Sequence, residues 1–326
     1  MRIAIILTGA LRTIKKTIRY FKDNLLTANA HNEVNVFVCV QNDTQEPEAM
    51  WTKWFEEQIP CITHFIWFSN EHYPQWALLR DHLLTTINES QGWKDYLKNS
   101  GSMIEYYQLH LAYMRMQHHE QTFRFEYDYV VRARTDSIYA KPVDFHWLNW
   151  TDEEIQMRLD TVEQELQLSN IAITPDNLLS YFMSTIISDD LIPNIQHIMA
   201  DYYPSSDKKQ IRNTVLDWRN YIQNGRYILT IRKNNLYIVR RELFHMIPAL
   251  GTMYGAFRSP HSDHYWFNAE CQFLSACYHS QVSIHNYSSL FEERSLEYAH
   301  SWNEADFFDL EFNCIHSRML YCVVRK

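Results

Sequence analysis

Apolar and polar positions alternate between two periods along the first half of the chain. Arg2 to Leu7 is a β-branched run ending at Thr8-Gly9, after which Thr13, Ile14, Ile18, Phe21, Leu25 and Leu26 recur at helical spacing. This predicts a strand, a glycine turn and a helix. Val34 to Val40 repeats the strand signal, a helical stretch follows around Met50 to Phe55, and His64 to Phe68 is the next strand. Helices are predicted over 75–87 and 102–121, the second with Ile104, Tyr107, Leu111 and Met114 on one stripe, before a strand at Tyr127 to Val131. Strands and helices in alternation imply an α/β, mostly parallel, right-handed doubly wound sheet flanked by helices.

The pattern changes after Trp150. Thr151 and Glu154 form a capping box, Ile155, Leu159, Val162 and Leu166 mark an amphipathic helix, and Thr174-Pro175 reads as another helix start. Residues 151–224 are therefore expected to form a helical insertion packed over the sheet. Strand signals return at Tyr227 to Arg232 and Leu236 to Arg240. A loop marked by Gly251 and Gly255 then leads to a helix near Phe267 to Cys277. The expectation is one domain over 1–326, with a ligand-binding half (1–150), the insertion (151–224) and a second half (225–326).

Composition narrows the classes. A formal charge of −9 gives no overall basic field, so no nucleic-acid partner is expected and any anion site must be made locally. The 6 cysteines lack the paired short spacings of a zinc site or a disulfide scaffold, which points to reduced thiols and a cytoplasmic location. Ile3 to Leu11 is interrupted by Thr8 and Gly9 and is followed by Arg12, Lys15 and Lys16 without a cleavage site, so it reads as a buried strand and not as a signal segment. No apolar run approaches the roughly 20 residues of a membrane span.

The chemistry concentrates at the end of the fourth strand, in Tyr127-Asp128-Tyr129-Val130-Val131-Arg132-Ala133-Arg134-Thr135-Asp136. Ligands in open α/β sheets sit at the carboxyl ends of the strands, and two arginines with a carboxylate there suit a phosphate and metal site. The three charged residues share one alternation parity, so an unbroken strand would point them to one face. The competing reading is an Arg–Asp ion pair that ties off the strand. Thr8-Gly9-Ala10-Leu11-Arg12 lies at the first strand-to-helix turn, where helix N–H groups are open to an anion and Arg12 could meet phosphates. Asp43 is a candidate for base or ribose contacts, or else a polar turn. Late in the chain, Arg258, His261, Asp263, His264 and Glu270 form a second polar group, while Asp189-Asp190 reads as a cap or surface turn.

Ile-Leu-Thr-Gly-Ala-Leu-Arg-Thr at 6–13, Val34 to Val38 and the 127–136 run together resemble a group of GT-A-type glycosyltransferases of large DNA viruses and bacterial polysaccharide loci. Trp266-Phe267-Asn268-Ala269-Glu270 adds a later match. The resemblance implies a GT-A-like (Rossmann-like) fold and a nucleotide-sugar held against the first half by Thr8, Gly9, Leu11, Arg12, Asp43, Arg132 and Arg134. It also implies a divalent metal, Mn²⁺ or Mg²⁺, on the diphosphate. The usual acidic motif is Asp-x-Asp; here it is Arg-Thr-Asp, with Asp136 as the single carboxylate and His316 as a further metal ligand or a structural histidine. Glu270, then Asp263, is the candidate base for the acceptor hydroxyl, with acceptor positioning as the other role for Glu270.

The function expected is Leloir-type transfer of a sugar from a nucleotide-diphosphate donor to a glycan or glycoprotein hydroxyl, as in polysaccharide biosynthesis, in the host cytoplasm if the protein is viral. The alternative is a non-catalytic nucleotide-sugar or carbohydrate-binding protein of the same fold. No P-loop or Gly-x-Ser-x-Gly elbow is present, which argues against an NTPase or an α/β-hydrolase.

Overall fold

The structure, a computed structural model, describes residues 1–86, 90–92, 94–95, 102–139, 142–172, 227–232, 236–247, 273, 277, 280–286 and 321–323. Its elements are β1 (Arg2–Ala10), α1 (Ile14–Phe21), β2 (Glu33–Gln41), α2 (Glu48–Gln58), β3 (Ile62–Trp67), α3 (Pro74–Thr86), α4 (Ser102–Phe123), β4 (Tyr129–Arg134), β5 (Ser137–Tyr139), α5 (Asp152–Leu168), β6 (Tyr227–Arg232), β7 (Leu236–Arg240), α6 (Arg241–Phe244), β8 (Ser283–Asn286) and β9 (Tyr321–Val323). Seven strands make one sheet in the order β3-β2-β1-β4-β7-β6-β8, with β7 alone running against the rest. β5 and β9 pair separately.

The expected mostly parallel α/β sheet is thus present, with helices on both faces. Ile3, Ile5 and Leu7 of β1 meet α1, α2 and α5 through Ile14, Ile18, Trp51, Phe55, Ile155 and Leu159. Ala4 and Ile6, of opposite parity, meet α3 and α4 through Trp76, Tyr106, Leu109 and Met116. β2 follows β1 on one side, whereas β4 pairs on its other side, so the strand order reverses at β1. The carboxyl ends of β1 and β4 therefore adjoin at this switch point, and the crevice outside such strand ends is the place where these sheets hold ligands.

Helix α4 corrects one expectation. Met114, predicted on the apolar stripe, is half-exposed, while Tyr107 is buried, Ile104 and Leu111 pack against the core, and the buried face continues through Leu109, Ala112 and Met116. The reason lies at its ends. Glu105 and Glu120 fall on that same face at helical spacing, and each pairs with an arginine, Arg132 of β4 and Arg241 at the start of α6. Glu105 meets Arg132 at 2.9 Å, and Glu120 takes two bonds of 2.7 Å from Arg241. The helix is clamped across about 22 Å of rise.

The capping box predicted at α5 is formed: Thr151 accepts from the Glu154 N–H at 3.2 Å, and Glu154 accepts from the Thr151 N–H at 2.6 Å. Thr151→Ala is expected to lower stability by about 1 kcal/mol in urea unfolding. Residues 173–224, the remainder of the expected insertion, lie outside the described residues. Among the described residues, no helix is long and apolar enough to cross a membrane.

Candidate functional site

β4 extends three residues beyond the predicted strand and carries Arg132 and Arg134 to its carboxyl end. Burying arginines there is tolerated because α4 delivers a carboxylate to meet them. Arg132, 1% exposed, donates to Glu105 at 2.9 Å and to the Thr8 hydroxyl at 3.3 Å. Arg134 lies 3.6 Å from the other Glu105 oxygen. The strand stops at Arg134, so the shared parity does not continue, yet Asp136 still joins the cluster. In the turn that follows, Arg134 Nε and Nη2 donate to its two oxygens at 2.8 and 2.7 Å. Glu105 was not among the candidates read from the sequence. Its one signal there is an acid among apolar neighbours, in Met103-Ile104-Glu105-Tyr106-Tyr107.

Asp136 is 4% exposed. Burial works to raise its pKa, but the charge and hydrogen bonds of Arg134, with Arg12 and Arg132 farther off, outweigh burial and hold the carboxyl below its usual range. Because the folded value is depressed, the stabilisation is complete above the ordinary carboxylate pKa of about 3.9 and is lost as pH falls through the lower folded value. Asp136→Asn should therefore unfold at lower urea than the parent at neutral pH. The gap should close below about pH 4.

The β1–α1 turn faces this cluster. Gly9 has φ +139°, and a Cβ there would overlap the Thr135 hydroxyl. The glycine thus makes room for Thr135. Thr135 donates from its N–H to the Thr8 carbonyl at 3.0 Å and from its hydroxyl to the Ala10 carbonyl at 2.7 Å, while Thr17 of α1 donates to the Thr135 carbonyl at 2.6 Å. The middle residue of Arg-Thr-Asp is therefore the bolt that fixes the turn. Thr8 and the Leu11 side chain are buried in the core. The Leu11 and Arg12 N–H groups both donate to Asp43 Oδ1, at 2.9 and 3.0 Å, so Asp43 ties the turn to the end of β2. Arg12 is exposed at the crevice and acts through space on Asp136.

The structure thus brings Thr8, Gly9, Leu11, Arg12, Asp43, Arg132, Arg134 and Asp136 to one strand-end crevice. Glu270, Asp263, His316, Arg258, His261, His264 and Asp189-Asp190 lie outside the described residues. The described residues do not by themselves fit a divalent ion: both Asp136 oxygens accept from Arg134, and no group of three His, Cys, Asp or Glu side chains is placed to hold one. What the cluster can do is present guanidinium groups, rigidly aimed, to an anion.

No protein-family model and no curated protein matches the chain. It is similar to the solved structure of the mannosyltransferase Ktr4p from S. cerevisiae at 12% identity, over 88% of this chain and 68% of that one, with a TM-score of 0.31. It is also similar to core-mannan synthase A (CmsA/Ktr4) from Aspergillus fumigatus in its Mn/GDP form, at 12% identity over 87% and 73% of the two chains, with a TM-score of 0.30. Function is therefore read from the geometry of the site itself.

Proposed function

We propose that this chain is a glycosyltransferase of GT-A type that moves a sugar from a nucleotide-diphosphate donor to the hydroxyl of a glycan or glycoprotein. The observation that carries the reading is the arginine cluster at the β1/β4 crevice, where Arg12 is exposed and Arg134 is partly exposed beside a rigid turn. Sugar transfer breaks the bond between the anomeric carbon and the diphosphate oxygen, leaving negative charge on the departing group. Preorganised guanidinium donors stabilise that charge without reorganising at the moment of reaction. In this reading Arg12 and Arg134 contact the diphosphate, Arg132 and Glu105 hold Arg134 in place, and Asp43 fixes the turn that carries Arg12. Glu270, with Asp263 second, is proposed to take the proton of the attacking hydroxyl.

The engagement of both Asp136 oxygens favours a second reading, a protein of this fold that binds a nucleotide-sugar without turning it over. Release of nucleoside diphosphate from UDP- and GDP-sugars, measured with and without glycan acceptors, separates the two. Release that depends on an acceptor is the expected result. Donor binding with no release for any acceptor would sink the transferase, and release in water alone would make the protein a hydrolase.

A further inference from the structure

We infer that the site binds the diphosphate of its nucleotide without a divalent cation, with the Arg134 guanidinium standing where such a cation would meet Asp136. The inference rests on the reading above and concerns how that site handles charge. Arg134 grips Asp136 side-on through two donors at 2.8 and 2.7 Å, so a metal ion could reach either oxygen only by displacing the guanidinium. Within the fork Asp136 is the more shielded partner, its side chain 6% exposed against 15% for Arg134. A displaced Arg134 would have Glu105 as its acceptor among the carboxylates described, and Glu105 already binds Arg132 at 2.9 Å. Two buried arginines would then share one carboxylate, while Asp136 exchanged a fitted partner for a strongly hydrated ion.

The charged side chains of the crevice balance one another without a metal ion. Among the described residues the crevice sets Arg12, Arg132 and Arg134 against Asp43, Glu105 and Asp136, with Arg12 as the exposed cation at the surface. Guanidinium groups bind phosphate oxygens in pairs and keep their charge at any working pH. A single carboxylate in Arg-Thr-Asp is then sufficient: it orients an arginine instead of chelating an ion.

The test is calorimetric binding of UDP and GDP to the full chain, in EDTA and in Mn²⁺, with electron paramagnetic resonance of Mn²⁺ on the nucleotide-free protein. Expected are affinities for the preferred nucleotide that differ by less than about tenfold between the two buffers, and no Mn²⁺ held by the protein alone. A gain of about tenfold or more with Mn²⁺, or a bound ion that Asp136→Asn releases, would overturn the inference while leaving the transferase reading in place. No nucleotide binding in either buffer would overturn both.

Discussion

Arg134→Gln is expected to cost about 3–5 kcal/mol of stability and to weaken nucleoside diphosphate binding by about a hundredfold. Two roles meet in this side chain. It neutralises Asp136, which is buried and has both oxygens bonded to it, and it offers charge to the crevice. Removing the guanidinium leaves a buried carboxylate without its fitted partner, the situation in which breaking an ion pair is most damaging. The double variant Arg134→Gln/Asp136→Asn should regain much of the lost stability, because an amide pair removes the uncompensated charge, yet it should not regain nucleotide affinity. Urea unfolding and calorimetry on the same samples separate the two effects. Equal recovery of both would mean that Arg134 acts on the ligand only through the fold.

Gly9→Ala is the second large effect, expected near 3 kcal/mol in urea unfolding. Alanine at φ +139° is strained whatever space surrounds it, and here its methyl also meets the Thr135 hydroxyl. These costs can be divided. In the Thr135→Ala background the overlap is gone and only backbone strain remains, so the cost of adding alanine at position 9 should fall by about 1 kcal/mol or more. An unchanged cost would place the whole effect in the backbone and remove Thr135 as the reason for the glycine.

Local patterns in the sequence disclosed the frame of this fold. The runs at 227–232 and 236–240 are strands with those bounds, because β-branched and aromatic residues on a buried sheet need no distant partner to specify them. The α5 capping box is likewise complete within four residues. What local pattern could not disclose depended on pairing across the chain. Predicted to stop at Val131, β4 runs on to Arg134 because Glu105, 27 residues earlier than Arg132, arrives on α4 to meet the arginines. On α4 the predicted Ile104, Tyr107 and Leu111 do pack on the core and Met114 alone does not, the buried face being bounded by carboxylates that pair with distant arginines. At Gly9 the glycine was legible and its cause was not, because Thr135 is distant in sequence. Asp43 reads locally as a turn residue, and only the β1/β2 pairing brings it under the N–H groups of Leu11 and Arg12.

The central claim is that the β1/β4 crevice is an anion site for a nucleoside diphosphate, and Arg12 tests it most directly because it is exposed and removable without opening the core. Calorimetry of UDP and GDP binding to the parent chain and to Arg12→Ala is the decisive measurement. The account predicts binding of one nucleotide by the parent and a loss of about tenfold or more in the variant, with the unfolding midpoint unchanged. A variant that binds the same nucleotide as tightly as the parent would place the site elsewhere and contradict the account.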